Sequence, residues 1–282
     1  MLGYVCKYTP MELFEAMDTE ITRLEPSVTD FNHADTLMHA NICSYTKAVL
    51  EDVMEHDYEG VILTTCCDSI RRLYDTLKSQ FPDKFFFLLD IPRKFNDFAI
   101  ALYERQLKQM LTEYEAFSGK TLDLKRFVSM MQNKAALKKQ ENTRMSSSAV
   151  SEKGNGQKLN IGIMGARCNN EIRQLLVDRG ANLLFDLTCT GLARDFSITE
   201  DQVLHSYAAA LLNQIPCMRM LKAANREHFL DGFTDRLDGI IYHTVKFCDS
   251  YSYEYADFRQ RLDLPILLVE TDSTRQCAGQ VR

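Results

Sequence analysis

A single stretch decides the fold: Gly239-Ile240-Ile241-Tyr242-His243-Thr244-Val245-Lys246-Phe247-Cys248-Asp249-Ser250. It opens on a glycine, continues through β-branched and aromatic residues, and ends on a cysteine followed by aspartate and serine. A short apolar run of this composition is typical of a buried β-strand. The stretch therefore predicts a strand whose carboxyl end carries the Cys248 thiol.

An earlier stretch has the same form: Gly60-Val61-Ile62-Leu63-Thr64-Thr65-Cys66-Cys67-Asp68-Ser69. Both stretches follow an acidic residue, run apolar, and stop at Cys-Asp-Ser before a helix-like segment. The repetition predicts two related α/β halves, each with a thiol at the carboxyl end of a strand. Open parallel sheets bind their ligands at that edge. The two stretches therefore favour sulfur ligation of a metal cluster, and they indicate no particular substrate.

The composition excludes several classes of function. The chain has 282 residues, of which 45% are hydrophobic and 26% charged, as in ordinary globular proteins with one or two cores. A net charge of -6 argues against a general nucleic-acid binder, which carries a basic field. No apolar run approaches the roughly 20 residues of a membrane helix, and the amino terminus lacks the pattern of a signal peptide. We therefore expect a cytoplasmic protein that binds neither nucleic acid nor membrane.

Cysteine is unusually frequent. The nine cysteines are Cys6, Cys43, Cys66, Cys67, Cys168, Cys189, Cys217, Cys248 and Cys277. A disulfide framework is not expected, because the number is odd and the cytosol keeps thiols reduced. No Cys-x-x-Cys pair occurs, which argues against a zinc ribbon, a thioredoxin-type site and a bacterial ferredoxin. Any cluster must be assembled from residues that are distant in the sequence.

Strands and helices alternate along most of the chain. Residues 1–56 are expected to form a loop followed by helices, with Thr9 as N-cap, Pro10 at the first helical position and Glu12 at N3. Cys6 would then lie just before a helix amino terminus, whose dipole favours a thiolate. Further strands are predicted at residues 61–65, 85–89, 159–166, 181–187, 240–245 and 265–269. Further helices are predicted near residues 40–50, 69–80, 96–117, 169–179, 200–213, 222–237 and 252–262.

The residues at 138–158 are polar and rich in Lys, Ser and Gly, which predicts a linker. The expected domains are an amino-terminal α/β domain, residues 1–137, and a carboxyl-terminal α/β domain, residues 159–282. The predicted fold class is α/β, with two tandem doubly wound, Rossmann-like parallel sheets, extra helices, and the cluster between the domains.

The sequence positions of the individual cysteines predict different structural positions for their thiols. Cys67, Cys189 and Cys248 each follow an apolar run, so each is placed at the carboxyl end of a strand, whereas inert cysteines belong inside strands. Cys66 is expected to point to the opposite face from Cys67. For Cys217, an ordinary loop cysteine and a cluster ligand fit the sequence equally well. Inert positions are favoured for Cys168 and Cys277. A core position is favoured for His243, and Arg219 either offsets a cluster's charge or lies on the surface.

Taken together, these motifs resemble the 2-hydroxyacyl-CoA dehydratase superfamily, which also includes benzoyl-CoA reductase subunits and the double-cubane cluster proteins. The resemblance spans nearly the whole chain and is closest to the double-cubane branch. The stretches that carry it are residues 3–12, 65–75, 186–191, 216–220, 246–249 and 270–282. Relatives have more helix near residues 138–158 and continue past Arg282, so we expect either a minimal or a truncated member.

The resemblance implies a cofactor and its ligands. Cys43, Cys67 and Cys248 match the three thiolates of a cubane shared by the family. Cys6, Cys189 and Cys217 fall in motifs like those of the double-cubane branch, in which six cysteines hold an 8Fe-9S cluster made of two bridged cubanes. Members receive low-potential electrons from a separate iron-sulfur ATPase, the activator, and a homodimer or a heterodimer with a related subunit is expected.

Three functions remain open at this point. The first is an iron-sulfur reductase that acts on a small molecule at a double cubane. The second is a subunit of a 2-hydroxyacyl-CoA dehydratase, a lyase that uses one electron to form a ketyl radical from an acyl-CoA, with a single 4Fe-4S cluster. The third is a metal-free α/β binding protein whose cysteines fill the core.

Overall fold

A computed structural model describes residues 1–148, 158–168, 170–191, 198–221 and 224–275 of the chain. The strands are β1 (Leu2–Tyr4), β2 (Ile21–Arg23), β3 (Gly60–Thr64), β4 (Phe85–Leu89), β5 (Asn160–Gly165), β6 (Asn182–Thr188), β7 (Gly239–Val245) and β8 (Ile266–Thr271). The helices are α1 (Met11–Ala16), α2 (Asn32–Leu37), α3 (Ser44–Glu55), α4 (Asp68–Gln80), α5 (Asp97–Ser118), α6 (Leu124–Ser148), α7 (Asn170–Asp178), α8 (Val203–Leu212), α9 (Ala224–Asp231) and α10 (Asp249–Arg261). A single 3₁₀ turn, Thr234–Arg236, precedes β7.

The strands form two four-stranded sheets with the same topology. The first sheet has the order β2-β1-β3-β4 and the second the order β6-β5-β7-β8, and every pairing is parallel. In each sheet the chain leaves the first strand toward one edge and then returns to build the other edge. The crevice between the first and third strands is therefore a topological switch point, where open α/β sheets bind ligands. The predicted architecture of two doubly wound parallel sheets is confirmed.

The two stretches that predicted the fold form the central strands β3 and β7. Every residue of β3 is buried, as are six of the seven residues of β7. Gly60 is required at the start of β3, because a Cβ there would lie 1.8 Å from the Phe85 carbonyl oxygen on the neighbouring strand. The glycine that opens the motif thus permits close strand pairing.

The amino-terminal region differs from the expected loop and helices, because it contains β1 and β2. Each has only three residues, and each is held by pairing within the first sheet. The capping box is also not formed. The first helix begins at Met11 with Pro10 at its N-cap and without a side-chain cap, while the Glu12 carboxylate accepts a hydrogen bond of 2.5 Å from the Tyr207 hydroxyl.

The two halves share one core. Helix α8 belongs to the second half of the sequence but packs against α5 of the first half. Its fully buried Tyr207 and Leu211 lie in the same apolar cluster as Phe14, Tyr103 and Phe127 of the first half. The rings of Phe127 and Tyr207 are in edge contact at 5.1 Å. The core beneath the first sheet is therefore completed by residues from beyond the predicted linker.

Helix α6 was not predicted, and it continues through residues 138–148, the first part of the expected polar linker. The remaining linker positions 149–157 lie outside the described residues. The domain boundary stays a prediction. None of the helices within the described ranges is long and apolar enough to cross a membrane.

Candidate functional site

A cavity of about 360 Å³ lies where the carboxyl ends of both sheets meet. Its walls come from the loops that follow β1, β3, β5 and β7, which are the loops at the two topological switch points. All six cysteines predicted as ligands line this cavity: Cys6, Cys43, Cys67, Cys189, Cys217 and Cys248. Thiols that are up to 242 positions apart in the sequence are thereby brought into one space.

Three of these thiols, which we call the first triad, are Cys43, Cys67 and Cys248. Each is the N-cap residue of a helix, namely of α3, α4 and α10 respectively. The first backbone N–H groups of a helix have no intrahelical partner, and the helix dipole places partial positive charge there. Three helix amino termini therefore converge on one group of sulfurs, an arrangement that favours negative charge at those sulfurs.

The thiols of the first triad also interact directly. A hydrogen bond from the Cys248 thiol lowers the pKa of Cys43 to about 7, and the same bond raises the pKa of Cys248. A hydrogen bond from Cys66 lowers the pKa of Cys67, and the charge of Cys43 acts in the opposite direction. Cys43 and Cys248 come from different halves of the chain, so the first triad is completed only when both halves are assembled.

The other three thiols, the second triad, are Cys6, Cys189 and Cys217. The Tyr251 hydroxyl lies 2.7 Å from the Cys189 sulfur and 3.3 Å from the Cys217 sulfur, so one hydroxyl serves two sulfurs. Their mutual hydrogen bond lowers the pKa of Cys217 and raises that of Cys189. Burial raises the pKa of Cys6 to about 11. The expected thiolate-favouring position of Cys6 is wrong, because α1 begins five residues later and burial dominates.

A buried ion pair lies behind the second triad. The Arg226 side chain is 2% exposed and pairs with the Glu254 carboxylate at 2.9 Å. Its guanidinium also donates to the carbonyl oxygens of Leu187, at 3.2 Å, and Pro216, at 3.4 Å, which precede Cys189 and Cys217. Arg226 thereby ties together the two loops that carry these cysteines.

The Glu254 carboxylate has a second donor, the buried Tyr242 hydroxyl at 2.5 Å. The Tyr242 hydroxyl also lies 3.1 Å from the carbonyl oxygen of Tyr251, whose side chain reaches the sulfurs. No sequence motif marks the set formed by Arg226, Tyr242 and Glu254, because its members come from three separate elements.

Four cationic side chains line the cavity, Lys7, Arg93, Arg167 and Arg219, and all but Arg93 act on its thiols through their charge. Lys7 is 9% exposed and donates to the Ile215 carbonyl oxygen, and Arg167 donates to the carbonyl oxygens of Val5 and Leu24. Arg219 donates from Nε to the Ser250 hydroxyl at 3.1 Å, and its charge acts on thiols of both triads. Arg219 therefore lies in the cavity wall, and its role in offsetting a cluster's charge stays a prediction. Buried cations of this kind stabilise anionic sulfur.

Two buried threonine hydroxyls face the sulfurs. The Oγ1 atoms of Thr46 and Thr64 are fully buried and reach no hydrogen-bond partner at full bonding distance within the described residues. Thr46 faces the sulfur of Cys43, and Thr64 faces those of Cys6 and Cys66. A buried hydroxyl left without any acceptor costs about 1–3 kcal/mol, and for these two hydroxyls the neighbouring sulfurs are the acceptors. Thiolate or inorganic sulfur in the cavity would meet that need, and the donor set therefore fits an iron-sulfur group.

The arrangement of the thiols in the cavity does not suit a single metal ion. Within the described ranges, no group of three or more His, Cys, Asp or Glu side chains is arranged to hold one ion. One zinc ion needs all its sulfur ligands at about 2.3 Å from a single point. In a cubane each thiolate binds a different iron, so the ligands surround a volume. The thiols line such a volume.

The remaining cysteines have different positions. Cys66 also lines the cavity, so the expectation that it points away from Cys67 is wrong. Strand β3 ends at Thr64, and the alternation of strand side chains no longer applies at residues 66 and 67. Cys168 is fully buried in a small apolar cluster, as predicted for an inert cysteine. Cys277 lies outside the described residues. His243 is buried, as predicted, with Nε2 at 3.0 Å from the Thr271 hydroxyl.

One residue of the cavity wall has an unfavourable backbone. Phe247 lies in the left-handed region, with φ 63°, and its side chain is 43% exposed. The loop is held in this shape because Ser44 donates to the Lys246 carbonyl oxygen from its backbone, at 3.1 Å, and the Cys248 N–H donates to the Val245 carbonyl oxygen at 2.8 Å. Bulky residues in this region cluster at functional sites.

Comparison with known proteins gives one family. The family described as "2-hydroxyglutaryl-CoA dehydratase, D-component" matches residues 6–142 and 129–282. No curated protein matches the chain. The two matched segments together cover the chain from Cys6, the first cysteine of the second triad, to its last residue. The chain therefore belongs to the 2-hydroxyglutaryl-CoA dehydratase D-component family, within the 2-hydroxyacyl-CoA dehydratase superfamily.

Proposed function

We propose that the chain is an iron-sulfur enzyme that reduces a small substrate at an 8Fe-9S double-cubane cluster. The first triad, Cys43, Cys67 and Cys248, would hold one cubane, and the second triad, Cys6, Cys189 and Cys217, would hold the other. The observation that carries this proposal is that all six thiols line one cavity, where Cys43 interacts with Cys67 and Cys248, and Cys217 interacts with Cys6 and Cys189. Membership of the dehydratase family supports it at a coarser level.

When bound, the cluster would supply one-electron transfer at low potential. The residues of the chain have other tasks. The three helix amino termini and the cations Lys7, Arg167 and Arg219 would offset negative charge on the sulfurs. Aromatic side chains such as Tyr8, Tyr45 and Tyr251 are buried in the cavity wall and would limit the access of water.

The proposal includes partners. Electrons would come from an iron-sulfur ATPase that acts as activator, as the resemblance implies, and the chain would work as a homodimer or with a related subunit. The cavity volume of about 360 Å³ is within the range of small-molecule sites, so cluster and substrate would have to share it. This limit favours a small substrate over an acyl-CoA.

Anaerobic reconstitution of the full chain with iron and sulfide tests the proposal. We expect about eight irons per chain, and fewer in Ser variants of either triad. Cys168→Ala is the matched control, because Cys168 is buried outside the cavity, and it should load as much iron as the wild type. A wild-type chain that folds but takes up no iron would overturn the proposal.

A second candidate is a dehydratase subunit with a single 4Fe-4S cluster, in which an acyl-CoA loses its hydroxyl group. It is favoured by the printed description of the family and by the helix N-cap positions of the first triad alone. This candidate predicts about four irons per chain. It also predicts that Ser variants of Cys43, Cys67 or Cys248 abolish loading, whereas those of Cys6, Cys189 or Cys217 do not.

A metal-free binding protein, the third function, predicts a colourless chain after anaerobic purification and reconstitution. The positions of the thiols argue against it. Cysteines that serve as inert filler are expected in apolar clusters, as Cys168 is, rather than together in the wall of a cavity with four cations.

A further inference from the structure

Tyr251 contacts sulfurs of both triads. It is the third residue of α10, and its backbone N–H faces the sulfur of Cys248, the N-cap of that helix. Its hydroxyl oxygen lies 2.7 Å from the Cys189 sulfur and 3.3 Å from the Cys217 sulfur. The backbone and the side chain of a single residue thereby reach ligands of both proposed cubanes.

The surroundings of Tyr251 hold its side chain in place. The residue is 2% exposed and lies in the wall of the cavity. The Tyr242 hydroxyl lies 3.1 Å from the Tyr251 carbonyl oxygen and 2.5 Å from the Glu254 carboxylate, which pairs with Arg226 at 2.9 Å. Because the Tyr251 backbone is tied to this buried network, its hydroxyl has little freedom to turn away from the sulfurs.

The direction of the hydrogen bond follows from the chemistry of a ligated thiol. Within the described part of the chain, both hydrogen-bond partners of the Tyr251 hydroxyl are sulfurs. A cysteine binds a cluster as a thiolate, which has no hydrogen to donate. A phenol is protonated at neutral pH, so its O–H group is the donor. The shorter contact directs that hydrogen to the Cys189 sulfur.

We propose that the Tyr251 hydroxyl raises the reduction potential of the cubane held by Cys6, Cys189 and Cys217, by donating a hydrogen bond to its thiolate sulfur. This inference rests on the proposed iron-sulfur function. Reduction adds one negative charge to a cluster, and hydrogen bonds to charged acceptors are stronger than those to neutral ones. The bond therefore stabilises the reduced form more than the oxidised form, and the cubane becomes easier to reduce.

The test compares Tyr251→Phe with the wild type, using the full chain after anaerobic reconstitution. Phenylalanine keeps the ring and removes the hydroxyl, so we expect the wild-type iron content and a more negative midpoint potential. The expected change in the ratio of oxidised to reduced cluster at a fixed potential is about tenfold, which is about 59 mV for one electron. Redox titration followed by electron paramagnetic resonance measures it. A potential that is unchanged or more positive contradicts the inference.

A matched control separates the hydrogen bond to sulfur from the loss of any buried hydroxyl. Tyr114 is fully buried outside the cavity, and its hydroxyl lies 3.1 Å from the Thr19 hydroxyl and 3.0 Å from the Glu59 carboxylate. Tyr114→Phe should therefore leave the potential unchanged. A merely structural role of Tyr251 predicts the opposite sign, because a loosened wall admits water, which favours the more negative, reduced cluster.

Replacement of Tyr251 by para-aminophenylalanine gives a second variant. It keeps the ring and offers the sulfur a weaker N–H donor, so we expect a potential between those of the wild type and Tyr251→Phe. If Tyr251→Phe does not fold, a potential of this variant that is not below that of the wild type contradicts the inference. A wild-type chain that takes up no iron contradicts the iron-sulfur function itself, whereas a loaded chain whose potential is insensitive to both changes contradicts this inference alone.

Discussion

Phe247 is the residue where the structure departs most from what its side chain prefers. The left-handed backbone costs a residue with a Cβ roughly 1–2 kcal/mol, whereas glycine adopts it freely. The loop nevertheless keeps this shape, because neighbouring hydrogen bonds fix Lys246 and Cys248 on either side. The strain is located beside a predicted ligand, in the wall of the cavity.

Because of this strain, we expect glycine to be a better replacement than alanine at position 247, the reverse of the usual order. We expect Phe247→Gly to be more stable than Phe247→Ala by about 1 kcal/mol, because only glycine relieves the left-handed backbone. Urea unfolding of both variants measures the difference. The same exchange at Phe98, an exposed helical residue of α5, should favour alanine instead. An alanine variant at position 247 that is the more stable of the two would show that the backbone is not strained.

His243 gives a prediction about pH. Burial lowers the pKa of its imidazole to about 4 from an ordinary value of 6.5. A folded-state pKa below the unfolded one contributes stability that is present above pH 6.5 and is lost as pH falls toward 4. Between pH 7 and pH 4 we expect the wild type to lose about 3 kcal/mol more unfolding free energy than His243→Gln, which has no charge to gain. Equal losses in the two proteins would mean that His243 is not buried in its neutral form.

At the scale of elements, helix α8 carries the largest structural consequence, because it joins the second half of the sequence to the core of the first. Leu211→Ala should lower the free energy of unfolding by about 2–5 kcal/mol, since the Leu211 side chain is fully buried. Leu221→Ala is the matched control, because that leucine is 66% exposed and should change stability by less than about 0.5 kcal/mol. Equal, small effects from both changes, measured by urea unfolding, would place α8 outside the cooperative core.

The central elements were predictable from the sequence because their signals are local. Helix α5 shows this: Asn96 caps it by accepting from the Ala99 N–H at 2.9 Å, and Gly119 ends it in the left-handed conformation. Strands β1 and β2 were not predictable, because three residues carry no period and depend on pairing with distant segments. Helix α6 was missed because its polar composition is also typical of a linker.

In the candidate site, too, some features were predictable from the sequence and others were not. The positions of Cys67 and Cys248 follow from the ends of two recognisable strands, and the structure places both at helix N-caps. The arrangement behind them, with Arg226 reaching across to Glu254, depends on contacts between segments 28 positions apart. Sequence patterns identify residue types and elements, but they do not determine which side chains meet across the cavity.

At the scale of the whole molecule, the shared core predicts how separated halves behave. A fragment of residues 1–137, the predicted amino-terminal domain, would lack Tyr207, Leu211 and the other α8 residues that cover its core. We expect such a fragment to show no cooperative unfolding transition, and to gain one when residues 159–282 are added in trans. Circular dichroism during urea unfolding measures both. A fragment that unfolds cooperatively by itself would show that the predicted domain is independent.

The packing of α8 also has a consequence during synthesis. Ribosomes add about 5–20 residues per second, so Tyr207 follows Met131 only after roughly 4–15 s. Throughout that interval the nascent amino-terminal half exposes an apolar surface that its own residues cannot cover. Such a chain is a natural client for chaperones until the residues of α8 have been synthesised. The first triad forms later still, because Cys248 follows Tyr207 by 41 residues.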